Sequence, residues 1–342
     1  MGSPDPQHAR QLNGMGGGIS SLSKICVVGP PNPHQKANGI HVEYTFAQVG
    51  IRDSTIDYSG NCGNLSSMIG VFAVDEGICG PPAPGTHATI RSFNTNTEKV
   101  IDTTFPISSG DAPTPCLDNP EASVAGVPGI ASKIILDFVN PSGARTGKLL
   151  PSGSPSDVLE IPSGTIRASC VDATNPTVFV NSSDLRDFLP LDDYIHNSPP
   201  TSSIVSQTLE DIRQRAAEKM GLDPSTQAQP KIAMLSVPDS IVEDEGVDIV
   251  VHALSMGVLH RAVPMTVGLC LGVAARVQGT LAWEIVQSSR SRRGGGADGG
   301  LVRIRHPSGM VDVGAEFAED GTVRSAKVVR TGRRLMKGVV WW

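Results

Sequence analysis

The sequence predicts an α+β fold made of two similar halves, each with a mostly antiparallel sheet. Three observations support this prediction. The chain has 342 residues, which is enough for two domains of ordinary size. Its 37 glycines and 26 prolines favour short strands joined by tight turns. Each half also contains one apolar helix preceded by a glycine-containing polar turn, instead of a series of alternating strands and helices.

The first half contains two strand-like stretches and one helix. Residues 15–29 run from a glycine cluster into an apolar segment, and residues 40–58 alternate between apolar and polar positions as a half-buried strand does. Residues 65–73 place apolar side chains at helical spacing, and Gly77 is a typical C-terminal stop. The polar turn before this helix consists of Asn61, Cys62, Gly63 and Asn64.

The second half repeats this organisation with more elements. Residues 164–180 are predicted as two strands, and residues 204–220 form one face of an amphipathic helix. An apolar helix is predicted within 253–276, and the stretch from residue 301 onward alternates as strands do. The turn that leads into this second apolar helix consists of Ser255, Met256 and Gly257.

The domain boundaries follow from this repetition. We place an N-terminal domain at 1–162, a C-terminal domain at 163–337 and a short tail at 338–342 that could pack back on the first domain. Residues 288–300 have low complexity and are predicted as a solvated loop. Its arginines could touch a phosphate, but the stretch has no periodicity and no aromatic residues, which favours the plain loop.

Composition excludes several classes of function. The net charge of −6 and an aromatic content of 4% argue against a nucleic-acid partner. The longest apolar stretch, 263–277, is shorter than the ~20 residues that a membrane span needs. The six cysteines form no CxxC pair and no cluster with zinc spacing, so we expect reduced thiols, no metal and a cytoplasmic location.

The strongest chemical signal is the thiol of Cys62. A thiolate at a helix N-terminus is stabilised by the positive end of the helix dipole, and the amides of Gly63 and Asn64 could hold a carboxylate. The alternative is a small buried cysteine beside an asparagine cap. Lys24 also leaves two interpretations open. Its side chain either extends along apolar neighbours to the surface or is desolvated as a general base is.

The glycine run at 16–18 also has two interpretations. Three consecutive glycines allow backbone amides to approach an anion closely, and the adjacent Ser20 and Ser21 could add hydroxyl groups. The run lacks the spacing of dinucleotide-binding and P-loop motifs, so nucleotide binding is only weakly supported. From spacing alone, an ordinary turn and an anion-binding turn are equally compatible with this stretch.

Six segments together resemble a single family. They read GMGGGISSLSK, DYSGNCGN, LPSG, VDATNPTVFV, LSMGVLHRAVPMT and RIRHPSG. On these segments the chain resembles the PrpF family from about residue 1 to residue 342. Members of that family are isomerases of 2-methylaconitate, 3-methylitaconate, 4-oxalomesaconate or aconitate and use no cofactor. The resemblance implies a fold like that of diaminopimelate epimerase. In that fold, two similar domains each wrap a sheet around a central helix, with an active-site cleft between them.

The resemblance also assigns roles to individual residues. It implies that Lys24 and Cys62 are the catalytic lysine and cysteine, which we expect as an acid–base pair on the two sides of the substrate. The substrate-binding residues that it implies are Gly16, Gly17, Gly18, Ser20, Ser21, Asn61, Gly63, Asn64, Ser255, Met256 and Gly257.

Two departures from the family pattern stand out. Ile19 occupies a position where the family has threonine, which removes a hydroxyl group. The family also begins with a strand carrying a GGTSKG-like loop, well before the GSPDP segment, and here that segment directly follows Met1. We therefore expect the first strand of the N-terminal domain to be missing.

The resemblance is strongest to fungal aconitate Δ-isomerases. It implies conversion of cis-aconitate to trans-aconitate through a dienolate, with a small di- or tricarboxylate as the partner and no cofactor or metal. A 2-methylaconitate cis–trans isomerase and a 4-oxalomesaconate-type tautomerase are the alternatives within the class. A polycarboxylate-binding chain without activity is the alternative from another class, and a homo-oligomer stays open.

Overall fold

Packing within the chain defines two units. The computed structural model describes residues 1–19, 22–58, 61–110, 112–197, 203–239, 245–255, 257–294 and 300–341. The first unit consists of Met1–Ser123, Gly129–Val139 and Arg330–Trp342, and the second of Val124–Pro128 and Asn140–Val329. The domain boundaries given above concern independently folding domains, and they stay a prediction.

The described residues of the first unit form a mixed sheet and two helices. Its strands are β1 (Lys24–Gly29), β2 (Val42–Val49), β3 (Ile56–Asp57), β4 (His87–Asn94), β5 (Lys99–Pro106) and β6 (Ile134–Val139). Its helices are α1 (Pro33–Ala37) and α2 (Gly63–Asp75). The strand order is β1-β2-β4-β5-β6, with β3 paired to β2. Only the β2–β4 pair among these strands is parallel, and Lys24 lies opposite Gln48 in the β1–β2 register.

Helix α2 is the centre of this unit. It is apolar on most sides and contacts β1, β2, β4, β5 and β6. A helix without a broad polar face is stable only when it is buried, which is why the sheet wraps around it. At Gly70 a Cβ atom would lie 3.0 Å from Ile90 Cβ and 3.2 Å from Phe105 Cε1. Glycine therefore sets how closely the helix approaches β4 and β5.

The second unit is larger and repeats the same plan. Its strands are β7 (Asp157–Ile161), β8 (Gly164–Ala173), β9 (Asn175–Asn181), β10 (Lys231–Ser236), β11 (Ile249–Ser255), β12 (Val258–Leu259), β13 (Leu301–His306), β14 (Gly309–Phe317) and β15 (Val323–Arg330). Its helices are α3 (Ser182–Arg186), α4 (Leu191–Asn197), α5 (Ile204–Lys219), α6 (Met265–Ala274) and α7 (Leu281–Arg292). The order is β15-β14-β13-β11-β10-β9-β8-β7, with β12 on β11. The pairs β9–β10 and β11–β13 are parallel and the other pairs antiparallel.

Helix α6 takes the central place in the second unit. It contacts β8, β9, β13 and β14, and its residues from Val267 to Ala274 are all buried. A Cβ atom at Gly272 would lie 2.9 Å from the backbone nitrogen of Gly314 in β14. Amphipathic α5 packs its apolar face on β7, β8 and β10. The predicted α+β class, with one central helix in each half, is confirmed. No helix of the described ranges is long and apolar enough to cross a membrane.

The predicted loop at 288–300 is partly wrong. Residues up to Arg292 belong to α7, and Arg290 and Arg293 both bind the buried carboxylate of Asp248. Asp248 precedes β11, so these ion pairs fasten the end of α7 to the sheet. The two arginines thus form structural ion pairs with Asp248. Local sequence could not reveal these pairs, because Asp248 lies more than forty residues away.

Two glycines of α6 provide a matched test of how closely α6 packs on β14. Gly272→Ala would push a methyl group against backbone, and we expect it to lower the free energy of unfolding by about 1–3 kcal/mol. Gly268→Ala meets only valine methyl groups at 3.7 Å. It is expected to leave stability unchanged or raise it by up to about 1 kcal/mol through better helix propensity. Urea unfolding of both variants measures the difference, and equal effects would contradict the close approach of α6 to β14.

Candidate active site

The structure brings Lys24 and Cys62 into direct contact. Lys24 is the first residue of β1, and Cys62 is the N-cap of α2. The Nζ atom of Lys24 lies 3.6 Å from the Sγ atom of Cys62, which is within hydrogen-bonding distance for sulfur. Both residues are partly buried. An amine and a thiol that are 38 residues apart in sequence thus lie within hydrogen-bonding distance of each other.

The alternation of β1 explains where Lys24 points. Ile25 and Val27 are exposed on one face of the strand, whereas Lys24, Cys26 and Val28 share the other face. That face lies toward α2, which β1 contacts. The strand is held at this end because Gln48 Nε2 of β2 donates to the carbonyl of Ser23 at 2.9 Å.

The local structure of Cys62 leaves its thiol free for chemistry. Cys62 has extended backbone angles (φ −111°, ψ 104°) and makes no side-chain cap hydrogen bond. The first amides of a helix have no acceptor within the helix, and here they belong to Gly63 and Asn64. These amides and the helix dipole favour a negative charge beside the thiol. A carboxylate could therefore bind at the end of α2, next to both reactive groups.

Burial raises the pKa of four of the other five cysteines. All six are free thiols. Burial raises the pKa of Cys26, Cys170 and Cys270 to about 12, and the nearby Cys62 adds to the rise at Cys26. Burial also raises the pKa of Cys79. These four thiols stay protonated near neutral pH and are poor proton carriers there, although Cys26 shares the face of β1 that carries Lys24.

The glycine run is held by a residue that the sequence did not single out. The amide of Gly18 donates to Gln11 Oε1 at 3.0 Å, and the hydroxyl of Ser23 donates to the same oxygen at 2.6 Å. The amide of Gly16 donates to the carbonyl of Met1 at 3.1 Å. Two of the three glycine amides are therefore engaged inside the turn. Gln11 is buried, but a single glutamine in a polar stretch gives no sequence signal.

The remaining predicted site residues are only partly described. Ser20, Ser21 and Met256 lie outside the described residues, and so does the side chain of Ser255, which ends β11. Gly257 has a φ of +70°, typical of a glycine turn. The amide group of Asn61 is turned toward Ser66, with Nδ2 3.1 Å from Ser66 Oγ. The assignment of substrate-binding roles to this set stays a prediction.

Comparison with known proteins identifies the family. The family model described as PrpF protein matches residues 1–342. The chain belongs to the PrpF family. Among PrpF relatives, the 3-methylitaconate isomerase of Eubacterium barkeri is 34% identical over 100% of this chain and 87% of that protein. The 2-methyl-aconitate isomerase of Shewanella oneidensis is 34% identical over 99% of this chain and 86% of that protein.

A solved structure supports the same assignment. The crystal structure of a methylitaconate-delta-isomerase is 33% identical and has a TM-score of 0.83 to this PrpF chain. The match covers 99% of this chain and 85% of that one. The expected family membership is confirmed, and so is the expectation that this PrpF chain is an isomerase.

The contact between Lys24 and Cys62 predicts the reactivity of the thiol. An ammonium group at this distance stabilises the thiolate, so Lys24→Met should slow alkylation of Cys62 by iodoacetamide at pH 7 by roughly three- to tenfold. Peptide mapping by mass spectrometry follows the rate at Cys62 alone. Lys36→Met, on α1 of the same unit, is the control and should leave that rate unchanged. An equal rate in wild type and Lys24→Met would contradict the contact.

Proposed function

We propose that this isomerase converts cis-aconitate to trans-aconitate by moving a proton, and that Lys24 and Cys62 carry the proton transfer. The observation behind this proposal is the contact of 3.6 Å between Lys24 Nζ and Cys62 Sγ at the N-terminus of α2. The relatives named above are isomerases of 3-methylitaconate and of 2-methyl-aconitate, which supports an unsaturated carboxylate as the substrate class. The choice of aconitate rests on the sequence resemblance.

The reaction needs only proton transfer and charge stabilisation. The methylene group of cis-aconitate lies between a carboxylate and a double bond. A base takes one methylene proton, and the C–H electron pair forms a new double bond to the adjacent carbon. The electrons of the former double bond form a double bond to the carbon of the attached carboxylate, and the C=O electron pair of that carboxylate moves onto its oxygen. The former double bond can then rotate, and return of the proton to the same carbon gives trans-aconitate with no net change in atoms or charge.

The geometry favours one side of the substrate for both groups. The Nζ atom of Lys24 and the Sγ atom of Cys62 lie 3.6 Å apart, which leaves no room for a substrate atom between them at this distance. On this basis we propose that both groups act from one side of the substrate; the sequence-based expectation that they flank it stays a prediction. We assign the thiolate of Cys62 as the base that takes the proton and returns it, and the ammonium of Lys24 as the group that stabilises the thiolate and exchanges protons with the thiol.

The end of α2 provides the place for developing negative charge. As the dienolate forms, charge accumulates on a carboxylate. The orphan amides at Gly63 and Asn64 point along the helix axis toward such a group and are fixed before the reaction begins. Donors that need no reorganisation stabilise the transition state more than solvent does. The same end of the helix would thus bind the substrate and stabilise the intermediate.

Related acids share this intermediate. In 2-methylaconitate and 3-methylitaconate the proton removed is also next to a double bond conjugated with a carboxylate. Return of the proton to a different carbon moves the double bond, whereas return to the same carbon changes only the geometry. A 4-oxalomesaconate-type tautomerisation follows the same logic. The proposed mechanism therefore covers the alternatives, and the substrate must be selected by contacts to the substituents.

Two substitutions test the assigned roles. Cys62→Ser and Lys24→Ala should each lower kcat for cis-aconitate by roughly a hundredfold or more, because each removes half of the proton-transferring pair. Cys79→Ser and Lys36→Ala make the same chemical changes elsewhere in the first unit and should keep turnover. Circular dichroism checks that all four variants are folded, and wild-type turnover in Cys62→Ser would exclude the mechanism.

The same assay also tests the substrate. Proton NMR with cis-aconitate, 2-methylaconitate, 3-methylitaconate and 4-oxalomesaconate compares initial rates for the wild-type chain, and cis-aconitate should be fastest. A different fastest acid would reassign the substrate within the class. Calorimetric binding of trans-aconitate without turnover of any of the four acids would overturn the enzymatic proposal in favour of a binding protein.

A further inference from the structure

A buried hydroxyl network lies directly behind Cys62. Ser66 stands one turn into α2 and is fully buried. Its Oγ atom lies 2.9 Å from the hydroxyl oxygen of Tyr44, 3.1 Å from Asn61 Nδ2 and 3.2 Å from the carbonyl oxygen of Cys62. Tyr44 is on β2 and is 1% exposed. One serine hydroxyl thus links the sheet, the turn before the helix and the backbone of Cys62.

Counting donors gives the direction of these bonds. A serine hydroxyl has one proton to donate and two lone pairs that accept. Burial raises the pKa of Tyr44 well above its ordinary value, so the phenol keeps its proton and can donate it to Ser66 Oγ. Asn61 Nδ2 fills the second acceptor position. The proton of Ser66 is then left to donate, and two acceptors lie within reach, the carbonyl oxygen of Cys62 at 3.2 Å and Asn61 Oδ1 at 3.3 Å. With either acceptor the serine hydroxyl is fully satisfied.

This network replaces an interaction that Cys62 lacks. An N-cap residue is usually fixed by its own side chain, which bonds an amide of the first turn. The side chain of Cys62 makes no such bond, and its sulfur faces Lys24 instead. The carbonyl of Cys62 accepts the backbone amides of Leu65 and Ser66 at 2.9 and 3.0 Å, and the hydroxyl of Ser66 is a third donor to it. The same hydroxyl also binds Asn61, the residue before the cap, and Tyr44 holds that hydroxyl from the protein interior.

We propose that Tyr44 and Ser66 are positioning residues that hold the thiol of Cys62 within reach of Lys24. Neither touches the proposed reacting atoms, since both act through the backbone of Cys62 and through Asn61. The proposal rests on the proposed function in one respect, because a loss of turnover reports on positioning only if Cys62 is the base. Thiol reactivity does not share this dependence, and it is therefore the main measurement.

The first experiment measures coupling between Lys24 and Cys62 without any substrate. The experiment uses three backgrounds, which are the wild type, Ser66→Ala and Tyr44→Phe. In each background, the rate of Cys62 alkylation by iodoacetamide at pH 7 is measured with Lys24 present and with Lys24→Met, and the ratio of the two rates is taken. In the wild-type background the ratio of the two rates should be roughly three to ten. In Ser66→Ala and in Tyr44→Phe it should fall toward one, because a misplaced thiol no longer senses the ammonium group.

Two controls separate positioning from general loosening. Ser92 is a buried serine on β4 of the same unit, and its hydroxyl donates to the carbonyl of Ile101 at 2.8 Å. Ser92→Ala therefore removes a comparable hydrogen bond and should leave the ratio of rates unchanged. Tyr194→Phe removes a hydroxyl from a buried tyrosine of the second unit and should also leave it unchanged. Thermal unfolding of each variant shows how far the fold has loosened.

The outcomes distinguish the positioning proposal from the proposed function. A ratio that stays near its wild-type value in both Ser66→Ala and Tyr44→Phe overturns the positioning role, and so does a ratio of one in the wild-type background. If Ser66→Ala does not fold, Tyr44→Phe decides, since it removes a single oxygen atom. If the ratio of alkylation rates falls to about one in both variants but the wild-type chain turns over none of the four acids, the positioning role is supported and the proposed function fails.

Turnover supplies the second measurement where the chain is active. Displacement of the thiol should lower kcat for the best acid by roughly tenfold in Tyr44→Phe, with KM changed by less than about twofold. The double variant with Ser66→Ala should be no slower than the slower single variant, because both act through one network. Fully additive losses in kcat would show independent structural damage and contradict the proposal.

Discussion

The enclosure of α2 is the constraint on which the first unit depends. This helix has too little polar surface to lie against water, and the sheet must therefore surround it. Gly70 lets β4 and β5 approach to van der Waals contact, which leaves the helix little freedom to slide or rotate. The N-terminus of the helix is consequently fixed in position, and with it the thiol of Cys62. Lys24 lies on β1, which packs on the same helix and so places the lysine beside Cys62.

Burial also distinguishes Cys26 from Cys62. Cys26 lies only two residues from Lys24, on the same face of β1, but its surroundings keep it protonated. Cys62 stands at the helix end, where backbone amides and an ammonium group favour negative charge. In the proposed mechanism, the chemistry of the site therefore depends on where a thiol lies relative to the helix terminus. A thiol that only lies near Lys24, as Cys26 does, is not sufficient for this role.

Local patterns in the sequence predicted the helices and strands well. They predicted contacts between residues distant in sequence poorly. The spacing of apolar residues at 65–73 and the polar turn before it correctly placed Cys62 at a helix start, because both signals lie within one turn or two. The contact of Cys62 with Lys24 arises from packing of β1 on α2, which no local pattern encodes. The sequence did not single out Gln11 and Ser66 for the same reason. Each takes part in buried hydrogen bonds with residues distant in sequence, and no local pattern marks such a residue. The sequence predicts Arg290 and Arg293 as part of a loop because their partner, Asp248, lies just before β11, more than forty residues away.

The central claim is that isomerisation proceeds by removal of a methylene proton by a group that exchanges with water. Proton NMR of the wild-type chain with cis-aconitate in deuterated water tests it most directly. The account predicts that the vinyl signal of trans-aconitate grows while deuterium enters the methylene position of product and remaining substrate. Formation of trans-aconitate with both methylene hydrogens retained through many turnovers would contradict proton abstraction, and with it the roles given to Lys24 and Cys62.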